Sequence, residues 1–414
     1  MSEIIQPSSA AEVAAALRRA SDARQSIVIR GAGTKSGWGR PPSRIDAILD
    51  MGRMNRILAH EHGDMTATIE AGASLRDVNR ALARHGQTLP LDPPFADRAT
   101  IGGLLATNDS GPLRHRYGTP RDLVIGIQLA TTDGVLSKAG GQVVKNVAGY
   151  DLSKLVTGSF GSLAAIVSAT FKLAPLPAAS QTMTVAVRDA AAVAEIVRTM
   201  MSSQLEPVAF ELTTRRSTQK PLDTQNNRVS ASSACYVVIR FASLPAVVDA
   251  QIAQATAGLT PCATHIETVD GDAERALWDA HATEIWDQPG AVVRASWLPA
   301  NIAAALAELD RITAGPEART ASGVVQGFSP AVVGRAAIGA GLIGIDGDTA
   351  AQARAIAQLR ASPVFGNIVM VRGSDELKAA VDVWGSHGDR QPLFDSLKRA
   401  FDPNGVLNAG RGPL

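Results

Sequence analysis

The chain has 414 residues, 45% of them hydrophobic, and its 40 Lys plus Arg against 39 Asp plus Glu leave a net charge of +1. That length buries a sizeable core and predicts two or three domains, while the balanced charge offers no single-sign field to nucleic acid or anionic lipid. Cys235 and Cys262 are the only cysteines and form no Cys-x-x-Cys pair, which argues against an iron–sulfur cluster or a zinc site in this chain and favours a reducing compartment. Met1 to Pro7 carries neither a basic nor an apolar leader region, and no window approaches 18 uninterrupted apolar residues. The expectation is a cytosolic chain, or one that docks on a membrane only through a partner.

In chain order, Ser8-Ser9 ahead of Ala10 to Ala20 reads as a capped, Ala-rich helix, and Ile27 to Arg30 as a short buried strand feeding a glycine loop. Ile45 to Leu49 and Thr66 to Glu70 are β-prone. Ser74 to His85 reads as a helix with Leu75, Val78 and Leu82 on one face and Gly86 closing it. Leu123 to Thr131 and Ala164 to Leu173 supply two more strands, and Pro175-Leu176-Pro177 is the best candidate domain boundary. Beyond Thr182 strands and helices alternate. Strands are expected at Met183 to Val187, Cys235 to Phe241, Ala291 to Leu298, Ala336 to Ile345 and Phe365 to Val371; helices at Ala190 to Met201, Pro245 to Ala257, Ala300 to Thr313 and Thr349 to Ala361. Polar Thr214 to Asn227 reads as a mobile surface loop. A helix from Pro392 to Ala400 and a turn-rich tail close the chain, and no repeat of fixed period is present.

Three glycine-bearing segments carry the chemistry. In Arg30-Gly31-Ala32-Gly33-Thr34-Lys35-Ser36-Gly37 the glycines let the backbone approach a pyrophosphate and adopt φ > 0, an anion nest to which Lys35 adds charge. An ordinary Gly-rich turn between strands fits the same residues. The spacing Gly-x-Gly-x-x-x-Gly with no helix behind it departs from the Rossmann fingerprint, and no Gly-Lys-Ser/Thr opens a helix as in a P-loop. At Thr100-Ile101-Gly102-Gly103 the threonine hydroxyl is expected to cap a helix. Gly102 and Gly103 leave room there for a planar ring or phosphate, or else for close helix–strand packing with no ligand. Asp151, within Gly149-Tyr150-Asp151-Leu152, is placed either to accept from a ribose or to cap the following helix.

Arg-Gly-Ala-Gly-Thr-Lys-Ser-Gly (30–37), Thr-Ile-Gly-Gly-Leu-Leu-Ala-Thr-Asn (100–108), Tyr-Gly-Thr-Pro-Arg-Asp (117–122) and Gly-Tyr-Asp-Leu-Ser-Lys-Leu-Val-Thr-Gly-Ser-Phe-Gly-Ser-Leu (149–163), in that order, resemble the PCMH-type FAD-binding domain of the vanillyl-alcohol oxidase-type flavoproteins. The likeness covers roughly Met1 to Pro177. Within that family the chain is similar to the FAD-binding subunit of glycolate oxidase, a likeness extended by the tail Phe401-Asp402-Pro403-Asn404-Gly405-Val406-Leu407-Asn408-Ala409-Gly410-Arg411. The resemblance implies an α+β chain: a two-lobed FAD-binding domain over 1–177, an inserted α+β cap domain over 178–385, and a tail over 386–414 that returns to the first domain. It implies FAD as cofactor, held without a covalent bond, since Thr34 follows Gly33 and neither cysteine falls in that domain. By the same likeness Gly31, Ala32, Gly33, Thr34, Lys35, Ser36 and Gly37 hold the pyrophosphate. Thr100, Ile101, Gly102 and Gly103, with Asn108 to Gly111, line pyrophosphate and flavin, and the backbone near Ile166 meets the adenine. Tyr117, Gly118, Asp151, Gly161 and Asn408 complete the implied cofactor set.

Larger relatives that oxidise 2-hydroxy acids carry a His-x-Gly-Asp-Gly-Asn-x-His signature on a cap strand, where imidazoles bind a metal that polarises the substrate hydroxyl. Ala337-Ile338-Gly339-Ala340-Gly341-Leu342-Ile343-Gly344 stands at the corresponding place here, without either His or the Asp. His265, His281 and His387 are isolated in sequence and read as surface or structural residues. Arg294 beside Trp297, and Arg372, read as carboxylate clamps or, more simply, as surface or interface arginines. No catalytic residue and no metal ligand is assigned. The resemblance therefore implies a subunit that relays electrons from a larger FAD-containing glycolate oxidase subunit, acting on the small 2-hydroxy acid, to an iron–sulfur subunit. Such a chain is expected in the cytoplasm or at the inner face of the plasma membrane through its partners. A stand-alone FAD-dependent dehydrogenase of glycolate or D-lactate, or an amino-sugar reductase of the same flavin family, is the alternative.

Overall fold

Ser9 takes an extended backbone and its hydroxyl accepts from the Glu12 amide, so the helix Ala10–Asp22 starts where the sequence offers a cap. In this computed structural model, which describes residues 2–141, 149–215, 234–313 and 331–413, the chain divides into two compact units, Met1–Leu176 with Ser386–Leu414, and Pro177–Gly385.

The first unit contains a small parallel sheet in the order Glu3–Ile5, Ala47–Asp50, Ile27–Arg30. Its free edge is used by the tail. The Ile27 amide donates to the Val406 carbonyl at 2.8 Å and the Asn408 amide to the Ile27 carbonyl at 3.0 Å, a parallel bridge that places the end of the chain beside its first glycine loop. A five-stranded antiparallel sheet runs in the order Ile57–Glu61, Thr66–Glu70, Ala165–Lys172, Val124–Ala130, Leu136–Gly140. Position explains composition: central Ala165–Lys172 is buried through its first seven residues, whereas edge Leu136–Gly140 alternates between exposed and half-buried. Leu17, Ile27, Ile69, Leu82, Leu105, Leu163, Phe171 and Leu407 belong to one continuous apolar core.

The second unit is an eight-stranded antiparallel sheet in the order His265–Asp270, Ala179–Val187, Ala234–Ser243, Ala209–Arg215, Ala331–Arg335, Ala340–Ile345, Ala291–Trp297, Phe365–Arg372. The helices Ala190–Met201, Pro245–Leu259, Gly271–Thr283, Ile302–Thr313 and Thr349–Ala361 belong to it. Two expectations need correction. The single strand expected over Ala336 to Ile345 is the second arm of a hairpin: Ala331–Arg335 pairs with Ala340–Ile345 across a turn that Gly339 closes at φ +71°. Thr214 and Arg215, read as loop, end the strand Ala209–Arg215, and the rest of that polar stretch, 216–227, lies outside the described residues. Both cysteines are free, and burial pushes the Cys235 thiol up to about 12, which keeps it protonated and unreactive at neutral pH. None of the described helices is long and apolar enough to cross a membrane.

Candidate functional site

A cleft in the first unit encloses about 740 Å³, counting its open mouth, a size suited to an organic cofactor. Four chain segments build it: the end of the strand Ile27–Arg30 with the loop through Ser36, the start of the helix Ile101–Thr107, the turn at Phe160 and Gly161 with Ile166 behind it, and the tail at Asn408 and Arg411. Sequence separation of nearly 400 residues is bridged by the Ile27–Leu407 pairing described above.

The loop is held by its carbonyls. Arg411, almost fully buried, donates from Nη2 to the Lys35 carbonyl at 2.6 Å and to the Ser36 carbonyl at 3.0 Å, and from Nε to the Trp38 carbonyl at 3.3 Å. A buried guanidinium that consumes acceptors fixes the loop's curvature, and burial lowers the Arg411 pKa. Asn408 works as a staple: its Oδ1 accepts from the Ile29 amide at 3.2 Å and its Nδ2 donates to the Phe160 carbonyl at 2.7 Å. Gly161 is glycine because a Cβ there would lie 2.5 Å from that Nδ2, on a backbone at φ +70°. Lys35 Nζ is buried 3.2 Å from Asp109 Oδ2, an ion pair without a directed hydrogen bond from the ammonium. Its donors remain available to an anion in the cleft.

Of the residues expected to bind cofactor, the structure gathers Gly31, Ala32, Gly33, Thr34, Lys35, Ser36, Thr100, Gly102, Gly103, Gly161, Ile166 and Asn408 around the cleft. Gly37 and Ile101 flank it, Ile101 being part of the apolar core. Asn108 caps the helix Ile101–Thr107 in the left-handed region and its Oδ1 accepts from the Arg121 amide, away from the cleft. A Cβ at Gly111 would strike the Asp92 carbonyl at 1.8 Å, and one at Gly118, at φ +84°, would lie 2.8 Å from Asp122 Cβ, so both glycines answer to local packing. Tyr117 ends the short helix Arg114–Tyr117. Asp151 takes the capping role, accepting from the Lys154 amide at 3.0 Å. Thr100 departs from expectation: it stands at the cap position but makes no side-chain cap hydrogen bond. Its hydroxyl instead faces the loop, where a Cβ on Gly31 would come within 2.2 Å of it. The helix it precedes is only seven residues long, too short for a strong dipole, and its glycines permit close packing: a Cβ on Gly102 would lie 2.8 Å from Ala71 Cβ and one on Gly103 3.2 Å from the Thr100 hydroxyl. Ile29, Arg30, Met51, Ala71, Ala106, Thr107, Phe160, Ala164 and Arg411 complete the wall and were not foreseen. Arg30, Ala106, Thr107, Phe160 and Arg411 fall inside the recognised motifs, whereas Ile29, Met51, Ala71 and Ala164 lie outside them.

Residues 1–140 match the family described as FAD binding domain, and residues 176–302 match the FAD linked oxidases, C-terminal domain. The chain thus carries an FAD binding domain followed by a domain matching the FAD linked oxidases, C-terminal domain. Its cofactor is FAD, and it is an α+β protein with a PCMH-type FAD-binding domain. Among curated relatives, the Bacillus subtilis glycolate oxidase subunit GlcD is 33% identical over 208 residues, 50% of this chain and 44% of that protein. The Escherichia coli glycolate oxidase subunit GlcE is 37% identical over 155 residues, 37% of this chain and 44% of that protein. The matched stretches thus span less than half the length of these relatives. A solved alkyldihydroxyacetonephosphate synthase superposes with a TM-score of 0.71 at 19% identity, over 98% of this chain and 76% of its own, a likeness of fold.

The cleft residues fit FAD. The ammonium of Lys35 suits a pyrophosphate, the Arg411 clamp takes up loop carbonyls that would repel one, and apolar Met51, Ala106, Phe160 and Ile166 offer surface to flat rings.

Proposed function

We propose that this chain is the FAD-binding subunit of a glycolate-oxidising complex, passing electrons from a catalytic flavoprotein partner to an iron–sulfur subunit. FAD bound in the cleft supplies exchange between two-electron and one-electron transfer. Around it the chain's own residues position and insulate: Lys35 neutralises phosphate charge, Asn408 and Arg411 hold the loop, and Phe160, Ala164 and Ile166 exclude water.

The observation that carries the relay reading is the strand Ala340–Ile345. Where substrate-oxidising relatives carry imidazoles for a metal, this strand has none, and its glycines are spent on packing. A Cβ on Gly341 would lie 2.9 Å from both Trp297 Cη2 and Gly334 Cα, and one on Gly334 would lie 3.1 Å from the same Cη2. In this reading an indole takes the place that the resemblance gives to a substrate-polarising cation. His281 offers no substitute base, since it is buried between Glu211 Oε2 at 3.3 Å and Glu284 Oε2 at 3.8 Å.

The test is anaerobic mixing of the FAD-loaded chain with glycolate. The flavin is expected to stay oxidised until the larger flavoprotein subunit is added. Rapid bleaching by glycolate or D-lactate without partners would overturn the relay and establish a stand-alone dehydrogenase.

A further inference from the structure

Three imidazoles meet in the first unit on elements that the FAD cleft does not use. His60 lies on the strand Ile57–Glu61, His62 in the turn that leads to Thr66–Glu70, and His85 just beyond the helix Leu75–Ala83. One ligating nitrogen from each lies within 4.8 Å of the others. The ring centroids are 4.1 Å apart for His60 and His62, 3.8 Å for His62 and His85, and 5.3 Å for His60 and His85. His60 lies near the end of the strand and His62 just past it, and the turn brings their rings together.

The cluster has a built support. Gln87, buried and opening the strand Gln87–Thr88, accepts from His60 Nε2 through its Oε1 at 2.8 Å and donates from Nε2 to the His62 carbonyl at 2.8 Å. An amide oxygen can only accept, so the proton of His60 sits on Nε2 and the lone pair of Nδ1 is left for a ligand. One buried side chain therefore sets the tautomer of the first imidazole and anchors the backbone of the second. His62 and His85 are exposed and free to turn.

We propose that His60, His62 and His85 bind one divalent transition-metal ion of the zinc class, with a fourth position open to water. Bonds of about 2.0–2.1 Å in a tetrahedron need nitrogens roughly 3.3 Å apart, a closure that rotation of the two exposed rings supplies. Three imidazoles without thiolate or carboxylate suit Zn²⁺, Cu²⁺ or Ni²⁺ over Mg²⁺ or Ca²⁺. The ion clips the β-hairpin at 57–70 to the end of the helix Leu75–Ala83. The absence of a zinc site expected from cysteine spacing reached only thiolate sites and left imidazoles brought together by folding untouched.

The experiment is a calorimetric titration of the FAD-loaded, full-length chain with Zn²⁺, alongside Co²⁺ addition read by visible absorption. One ion is expected per chain, with a four-coordinate Co²⁺ spectrum. His62→Ala and His85→Ala, both at exposed positions, are expected to weaken binding at least about 100-fold. Gln87→Ala is expected to weaken it about 10–100-fold through the lost orientation of His60, with flavin absorbance unchanged as the check on folding. Zn²⁺ binding by the unaltered chain no tighter than by the His62→Ala/His85→Ala chain would overturn the proposal, as would a Co²⁺ spectrum that remains that of the hydrated ion.

Discussion

Two glycine-rich segments look alike in sequence and do opposite work. In the loop 31–37 a Cβ at Gly33 would meet only the flexible Ser36 Oγ at 3.3 Å and the Arg30 Cδ at 3.9 Å, and one at Gly37 would meet nothing within 4 Å. In the hairpin 334–344 the space is already taken. A Cβ on Gly339 would come within 2.1 Å of the Trp297 carbonyl oxygen, and one on Gly334 or Gly341 would press on the Trp297 ring. Beyond Gly31, where a Cβ would strike the Thr100 hydroxyl at 2.2 Å, the first segment keeps volume open beside a buried cation, whereas the second lets two backbones and an indole close on each other. Glycine content alone therefore does not mark a ligand site, and the surrounding side chains decide which role it plays.

The sharpest test of the open segment is Lys35→Met. Removing the cation beside buried Asp109 is expected to cost the FAD-free protein about 3 kcal/mol, the scale for breaking a buried pair, and to weaken FAD about 10–100-fold, the scale of one charged hydrogen bond. Urea melts and flavin fluorescence titration separate the two effects. Adding Asp109→Asn should restore most of the stability and none of the FAD affinity. Unaltered FAD affinity in Lys35→Met would reduce the loop to an ordinary turn.

For the closed segment, Gly341→Ala is expected to lose about 1–3 kcal/mol by overpacking, read as a shift in the urea midpoint. FAD affinity should stay within twofold of the unaltered chain. Shrinking the indole with Trp297→Phe in that background should recover part of the loss, because the Gly334 Cα and the Val333 carbonyl still crowd the new methyl. A large fall in FAD affinity in Gly341→Ala would mean that the hairpin does not serve packing alone.

The sequence made local features legible and left long-range ones hidden. Ser9 announces its helix because a cap acts within three residues, and Ala190–Met201 and Thr349–Ala361 begin and end where the sequence placed them. Thr100 misled because a cap residue is recognisable by type while its rotamer is set by a distant loop, here Gly31. The role of Arg411 as a clamp on Lys35, Ser36 and Trp38 depends on an edge pairing 380 residues away, from Ile27 to Leu407, and no local pattern encodes that. His60 and His62 form a local His-x-His pair, but His85 joins them only when Gln87 packs between hairpin and helix end.

Gly33→Ala probes backbone conformation within the open segment. Gly33 holds φ +75°, and a Cβ there costs about 1–2 kcal/mol in the left-handed region. FAD affinity should fall with stability, since relaxing that angle reshapes the loop that lines the cleft. A stability loss with FAD affinity intact would place the pyrophosphate on other parts of the wall.

The smallest effect belongs to Gly37→Ala. Gly37 has no positive φ, a Cβ there meets nothing within 4 Å, and the residue is not part of the cleft wall. Stability should change by no more than about 0.5 kcal/mol, as for an uncrowded surface substitution, and FAD affinity should not move. Paired with Gly33→Ala, this variant locates the boundary of the anion nest between residues 33 and 37. A tenfold loss of FAD on adding one methyl at Gly37 would extend that boundary outward and make the whole octet from Arg30 to Gly37 a ligand-facing surface.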